Sequence, residues 1–404
     1  MPDVVVVGGG PAGVAAAVAL RRAGVAKVTL LDREPTLGGA TRHCSHSPFG
    51  LREFGRVYVG AAYGRKLDRA AQEAGVTVLT GHSVVSLGTG GDLTIAHAGG
   101  TDTLTARRVV LATGAREMPR SAHLLPGDRP VGVLTTGALQ AFVAFQGLMP
   151  FRRPVIVGSE LVSLSAILTC LTHGARPVAL LEPGDHALVR APFAWFPRLV
   201  GVPFLSGVRI VDIIGTTRVT AVRIAQGGHE TTLECDGLLL TGRFTPEAAL
   251  LWQGGHRVDR GTGGPAVDQD GRCANPLHFA AGNLLRPIET GGWAFREGRA
   301  IGAAVAHDLA RDPSTTEPVA VTHDAPIKLV VPNLIRHGSA GAPGFDRFQL
   351  RFVRRAQGLL SLSLDGRKVW QRRGAWRPEV RVLVPMPASV AQAGHVHFGF
   401  AEDA

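Results

Sequence analysis

The chain has no close pair of cysteines. Its four, Cys44, Cys170, Cys235 and Cys273, are far apart in sequence. That excludes a C-x-x-C redox pair and a Cys-rich cluster motif, and it fits a reduced, cytoplasmic setting. A basic run interleaved with aromatics is also missing. The formal charge is +11 and nearly all the basic residues are arginine, but they are scattered, with short pairs such as Arg21-Arg22, Arg107-Arg108 and Arg354-Arg355. Nucleic-acid binding is therefore not expected. An arginine-biased composition accounts for the surplus, and so would an anionic cofactor, substrate or acidic partner. No membrane span and no targeting signal are expected. Residues 4–20 form an apolar stretch of 17, but it has no basic region before it and contains four glycines and a proline. A signal peptide does not have that make-up.

What is present is an ample core composition. The chain has 404 residues, 45% of them hydrophobic, which predicts two or three domains. The first of these is announced at once. Residues 3–7 read as a strand, Gly8-Gly9-Gly10-Pro11-Ala12-Gly13 as a G-x-G-x-x-G turn, and 14–22 as a helix stopping at Gly24. A second strand, 28–31, ends at Asp32. Gly8 makes the tight turn, Gly10 lets a pyrophosphate approach the backbone, and Gly13 lets helix pack on strand. The helix N-terminus offers N–H groups and partial positive charge to the phosphates. Asp32 suits a ribose 2′-hydroxyl and would repel a 2′-phosphate.

Further along, 56–74 reads as a helix, 76–79 as a strand, and 84–87, 93–97 and 101–106 as antiparallel strands turning at Gly99-Gly100. A buried strand, 109–112, runs into Thr113-Gly114. The Pro- and Gly-rich stretch 119–132 is a crossing between domains, and 135–146 a helix. The opening pattern then recurs: strand 154–157, turn at Gly158, helix 160–173, strand 177–181 and Glu182. Gly8 to Asp32 and Gly158 to Glu182 are both 24 apart, so the unit is an internal repeat. Strands at 208–214, 218–225 and 231–241 complete it. A last buried strand, 277–281, leads to Gly282-Asn283, and 293–309 is a helix. Residues 313–318 are linker-like. Strands at 329–335, 348–353, 359–364 and 380–384, with an Asp365-Gly366 hairpin into 367–370, make a small β-rich C-terminal domain. The expected architecture is α/β: two Rossmann-like, three-layer ββα nucleotide-binding domains, the second inserted in the first, plus that β-rich domain. The expected boundaries are 1–125 with 245–312, then 126–244, then 320–404.

With these segments in place the chain resembles the two-dinucleotide-domain flavoproteins of the pyridine nucleotide-disulfide oxidoreductase superfamily. The resemblance covers about residues 3–310. It is carried by Gly8 to Asp32, by Ala112-Thr113-Gly114, by Leu240-Thr241-Gly242-Arg243-Phe244-Thr245-Pro246 and by Phe279-Ala280-Ala281-Gly282-Asn283. The last is similar to an A-x-G-D motif whose acid meets the FAD ribityl chain or phosphate. Asn283 keeps the hydrogen bonding without the charge. The resemblance implies FAD in the first unit, with Val84 beside the adenine and with Arg33, Gly39 and Arg42 in the site. It also implies a helix starting near Gly291-Gly292-Trp293 whose N-terminus faces the flavin pyrimidine edge and favours anionic reduced flavin. Trp293 has a core-packing reading as well. Within the superfamily the chain looks nearest to flavoprotein subunits of amine, opine and hydrogen-cyanide-type dehydrogenases and to FAD proteins accompanying glycerol-3-phosphate dehydrogenases. The matching segments are Gly38-Gly39 with Cys44 and His46, Phe49-Gly50, Gly127 to Val133, and Asp259 to Pro265.

Two departures shape the expected mechanism. Disulfide reductases of the superfamily carry two cysteines after the Gly-Gly, and exchange needs an attacking and a resolving thiol. Here there is only Cys44, so disulfide reduction is not expected. His43, Cys44 and His46 are the candidates for catalysis beside the flavin. Imidazole suits proton transfer near neutral pH, although buried structural roles suit all three. The second departure is in the repeat, where Gly158-Ser159-Glu160-Leu161-Val162-Ser163 keeps only the first glycine. Glu160 would repel a diphosphate, so an NAD(P)H site is expected to be weak or lost.

The resulting expectation is an FAD-dependent dehydrogenase or oxidase. It would take a hydride from a small donor such as an amine, imino acid or opine and pass electrons to a partner subunit or carrier. Arg116, Arg286 and Glu289 join the three catalytic candidates as residues to test. The alternatives are an NAD(P)H-dependent flavin reductase and a FAD-bearing electron-transfer or scaffold subunit. No metal site is expected.

Overall fold

The structure, a computed structural model, describes residues 1–46, 48–311, 316–337, 344–378 and 380–403. Of the linker-like stretch at 313–318, residues 313–315 lie outside these. The opening strand Val4–Val7 is wholly buried and pairs in parallel with Val28–Asp32 on one side and Arg108–Leu111 on the other. Thr77–Thr80 and His278–Ala280 extend this to a five-stranded parallel sheet. Four consecutive valines serve both faces because helices cover one side and the antiparallel sheet Ser83–Leu87, Asp92–His97, Gly100–Thr105 covers the other. The chain leaves this sheet after Leu111 and returns to it only at His278.

Between those points lies the second unit. Pro154–Val157 is its central strand, flanked by Ala179–Glu182 and Gly237–Leu240, with Phe204–Ser206 and Val133–Thr135 at the edges. Period-two alternation decides its two faces: Val155 and Val157 pack on the antiparallel strands Val208–Ile214 and Ala221–Gln226, while Ile156 packs on the helices. The single strand expected over 231–241 is in fact two strands in two sheets. His229–Glu234 edges the antiparallel sheet and Gly237–Leu240 enters the parallel one. The break falls at Asp236, whose carboxylate accepts the backbone N–H groups of Arg152 and Arg153.

The remaining chain is a β-sandwich. Leu334–Ile335, Val319–His323, Val396–Glu402, Ala356–Leu364 and Arg367–Trp376 form one sheet; Ile327–Val331, Arg347–Phe352 and Val382–Pro385 form the other. Leu360, Leu362 and Phe398 from the first meet Phe348, Leu350 and Val384 from the second. Two of these strands, Val319–His323 and Val396–Glu402, are additions to the sequence reading, and the strand expected over 329–335 is interrupted at Pro332, which has no N–H for a ladder.

The last long helix, Gly291–Asp308, packs parallel to the opening helix Pro11–Arg22. Gly298 abuts Ala12 and Gly302 abuts Ala16. A Cβ on either glycine would lie 2.0 or 2.5 Å from the facing carbonyl oxygen. Small residues on both helices set this approach. Because Gly291 lies seven residues before Gly298, the longer helix begins about 10 Å beyond the level of Ala12. Both N-termini open on the same side of the sheet.

One buried pair gives the fold a pH dependence. His278 is fully buried, and its Nδ1 lies 2.9 Å from His256 Nε2. Burial first, and then the neighbouring His256, push its pKa from 6.5 down to about 4. The folded state thus holds the ring neutral where the unfolded chain would protonate it. The contribution is complete above pH 6.5 and lost as the pH falls toward 4, at most about 3 kcal/mol. Denaturant unfolding at pH 7 and pH 4.5 should show this loss, and His278→Leu should flatten it.

Candidate functional site

The G-x-G-x-x-G turn folds as its glycines require. Gly8 sits at φ +107°, closed to L side chains by the Ala112 carbonyl, 2.4 Å from where its Cβ would lie. A Cβ on Gly13 would lie 1.8 Å from the Gly8 oxygen, so only glycine lets the helix sit this close to the strand. Gly10 precedes the helix in extended conformation, with no side chain capping its N–H groups. The Cα atoms of Gly10 and Gly39 face each other, so backbone lines both walls here. Asp32 closes the far end: Oδ2 accepts the Gly9 N–H at 2.6 Å and Oδ1 that of Glu34 at 2.8 Å. Burial raises its pKa, against those two bonds. Each oxygen retains a lone pair for a ribose hydroxyl.

A cleft of about 3100 Å³ runs from this cradle across to the second unit and along the C-terminal sandwich. Of the residues expected in a cofactor site, Gly8, Gly10, Pro11, Ala12, Asp32, Arg33, Gly39, Arg42, Val84, Ala112, Thr113, Gly114, Asn283 and Gly292 line it, as do His43, Cys44, His46, Arg116 and Glu289. Gly13 does not, because its part is the helix–strand contact.

The structure moves four expectations. Trp293 does not line the cleft; its ring is held by the guanidinium groups of Arg52, Arg296 and Arg381, at 5.1, 4.7 and 3.7 Å. Gly282 turns the chain at φ +77° and spends its N–H on Glu297 Oε1, 2.8 Å away. Asn283 uses its amide to brace the following loop, accepting from the Glu289 N–H at 2.8 Å and donating to the Glu289 carbonyl at 3.2 Å. Arg286, 2% exposed, is bound to Glu297 and Glu289 inside the joint with the sandwich, and Glu289 also holds Arg351 and Arg381. This network ties the last helix to the C-terminal domain. Asn283 and Glu289 meet within one loop, whereas Trp293, Gly282 and Arg286 also depend on partners that the fold brings near.

The N-terminus of Gly291–Asp308 opens on the cleft, where it faces a carboxylate. Glu53, bound by the Tyr63 hydroxyl at 2.7 Å, lies against Gly292, its Oε1 3.1 Å from where a Cβ would be.

Near the crossing between the units, His43 Nε2 and Glu117 Oε2 both lie within 4 Å of one point, the place a Cβ on Gly137 would take. Burial, then Arg42, holds the His43 pKa below its usual value, so the ring is neutral at pH 7. Cys44 Sγ is 3.4 Å from the Ala40 carbonyl and 3.7 Å from Gln140 Oε1. Burial, and secondly Glu117, push its thiol up to about 12. A thiol so protonated is a poor nucleophile.

The second cradle keeps the backbone of the first. Gly158 is at φ +108° and Glu160 at φ −76°, against +107° for Gly8 and −75° for Gly10. The side chains differ. Glu160 Oε2 accepts the Thr241 hydroxyl at 3.1 Å, and Oε1 rests against Gly242, 2.1 Å from where a Cβ would be. The carboxylate thus fills the place that stays open above Gly10. Glu182 mirrors Asp32, one oxygen accepting the Ser159 hydroxyl and the other the Gly184 N–H at 2.8 Å.

The first cradle fits the diphosphate and ribose of FAD. Glycine backbone gives room, helix N–H groups give charge, and Asp32 gives an acceptor. Among the described residues no three metal-ligating side chains cluster, and no helix is long and apolar enough to cross a membrane.

Comparison with known proteins gives a consistent picture. The profile of the pyridine nucleotide-disulphide oxidoreductase family matches residues 2–298. The chain is 27% identical over 318 residues to an opine oxidase subunit of Agrobacterium tumefaciens (strain Ach5), covering 70% of this chain and 61% of that protein. It is 27% identical over 328 residues to the alpha subunit of sarcosine oxidase from Corynebacterium sp. (strain P-1), covering 75% of this chain and 32% of that one. The chain thus spans less than two thirds of either relative. Among solved structures, thioredoxin reductase of T. acidophilum superposes with a TM-score of 0.63 at 24% identity, covering 76% of this chain and 99% of that one.

Proposed function

Since the chain belongs to the pyridine nucleotide-disulphide oxidoreductase family and is an FAD-dependent oxidoreductase, we propose that its electrons enter from a small organic donor rather than from NAD(P)H. The donor class is an amine, imino acid or opine, and the electrons leave to a partner subunit or carrier. The observation that carries this reading is Glu160, seated where a second dinucleotide would need open backbone. The relatives named as oxidase subunits, of opines and of sarcosine, support the donor class and the partner. Cys44, a free thiol pushed up to about 12, weighs against thiol exchange.

FAD supplies the two-electron acceptor. The protein's share is to hold the cofactor through Gly8 to Gly13 and Asp32, and to present the donor across the cleft in reacting orientation. It must also take up a proton: His43, neutral and at the cleft wall, can accept one. Anaerobic mixing of the FAD-loaded chain with amines, imino acids and opines tests the reading. At least one donor class should bleach the flavin band. If no donor does so while dithionite does, the reading is wrong.

A further inference from the structure

Glu117 ends the short strand Ala115–Glu117, which pairs with Phe244–Pro246 where the chain crosses between the nucleotide units. Backbone bonds hold that crossing, so the carboxyl group is not needed for it. Glu117 nevertheless lines the cleft. Oε2 accepts the Gly137 N–H at 2.6 Å, while Oε1 is buried with no well-aligned hydrogen bond among the described residues. The buried Thr136 hydroxyl is near enough to favour the charged carboxylate but is likewise without a well-aligned partner. An unmade bond on a buried acceptor costs about 1–3 kcal/mol, so its place in the wall calls for an explanation. His43 Nε2 lies within 4 Å of the same point as Glu117 Oε2, the place a Cβ on Gly137 would take.

We infer that Glu117 is the proton-accepting carboxylate of the oxidation, with His43 passing the proton on toward solvent. This rests on the donor reading above. A protonated amine gives up the electron pair of its C–H bond with that hydrogen, as hydride, to the flavin. The N–H proton goes to the Glu117 carboxylate, and a C=N bond forms, leaving a protonated imine. Charge and atoms balance with the flavin as sole oxidant. Burial raises the pKa of Glu117, against the pull of the Gly137 N–H and of the Thr135 and Thr136 hydroxyls, which brings a carboxylate closer to the working pH of a general base. The titratable and charged groups packed around it are His43 and Cys44 from the 39–44 turn, and Arg116, His123, Arg243 and Glu247 from the crossing segments. Glu247 is a second carboxylate, paired with Arg116 at 3.5 Å, so the acidic limb is assigned to Glu117 by its loss in Glu117→Gln.

The test compares wild type with Glu117→Gln and Glu117→Asp, all FAD-loaded, by two readouts. In the first, the flavin midpoint potential is followed against pH with dithionite as reductant. Wild type and Glu117→Asp should show a change of slope where the carboxyl titrates, and Glu117→Gln a straight line. In the second, flavin reduction by an active donor should fall at least about a hundredfold in Glu117→Gln and lose its acidic limb, with Glu117→Asp retaining the limb. The inference is overturned if Glu117→Gln keeps both the slope change and the limb, or if both variants lose rate equally with an unaltered pH profile. If no donor reduces wild type, the donor reading falls, and the potential readout alone decides whether Glu117 titrates beside the flavin.

Discussion

Gly13→Val is expected to yield a folded but colourless protein. The cause is the 1.8 Å between a Cβ at residue 13 and the Gly8 carbonyl oxygen. Relief requires the helix Pro11–Arg22 to lift off its strand by well over an ångström. Overpacking of this kind costs about 1–3 kcal/mol. The larger effect is on the cofactor, because the lifted helix carries its N–H groups away from the diphosphate. A ligand present at about a thousand times its Kd stabilises its protein by about 4 kcal/mol, so loss of FAD should also lower Tm by several degrees. Gly13→Ala should hold FAD weakly and lose it on gel filtration. Gly24→Asn is the control: Gly24 has φ +89° but nothing within 4 Å of a Cβ, and asparagine tolerates that backbone. The purified protein's ratio of visible to ultraviolet absorbance is the readout. Full FAD content in Gly13→Val would mean that the cradle is not where the cofactor sits.

The same residues show why so much of the site is legible without the fold. Gly8, Gly10 and Gly13 are demanded by contacts within one βαβ unit, so the requirement and the residue lie within a few positions of each other. The repeat is legible for the same reason, down to the matching backbone angles at Gly158 and Glu160. What sequence reasoning does not reach is set by distant partners. Gly298 and Gly302 look like any helical glycines until Ala12 and Ala16 lie against them. Trp293 follows Gly291-Gly292, which points it to the flavin, yet Arg381, far along the chain, holds its ring. Arg286 and Glu289 look like reactive charges in a loop and prove to be ion-paired inside a joint. Glu117 carries no motif; its burial, its orphaned oxygen and its nearness to His43 exist only in three dimensions. The strand Val396–Glu402 keeps a period-two alternation, Val396, Phe398 and Phe400 against His397 and Gly399, and it is secured by a long ladder to Ala356–Leu364.

NADH and NADPH are expected to leave the flavin oxidised on the timescale in which a donor bleaches it, and Glu160→Gly should reverse part of that. The two cradles have backbone angles within a few degrees of each other at Gly8 and Gly158 and within about ten at Gly10 and Glu160, so the fold itself does not forbid a second dinucleotide. The obstacle is a carboxylate held by Thr241 against Gly242. A diphosphate charge about 4 Å from it would be repelled by about 4 kcal/mol at the effective dielectric of a protein surface, roughly a thousandfold in Kd. Removing the side chain removes both the charge and the obstruction, while Glu182 remains placed as Asp32 is to receive a ribose hydroxyl. Ser163, with its hydroxyl on the Glu160 carbonyl at 2.7 Å, brings a side chain to the helix–turn contact that Gly13 leaves bare. Glu160→Gly alone should therefore restore weak binding, and adding Ser163→Gly should strengthen it. Stopped-flow mixing with NADH reads this as an observed rate of flavin reduction that rises and saturates at lower NADH concentration in the variants. Fast saturable reduction of wild type would overturn the proposed direction of electron entry. Equal inertness of wild type and both variants would leave that direction standing and remove Glu160 as its cause.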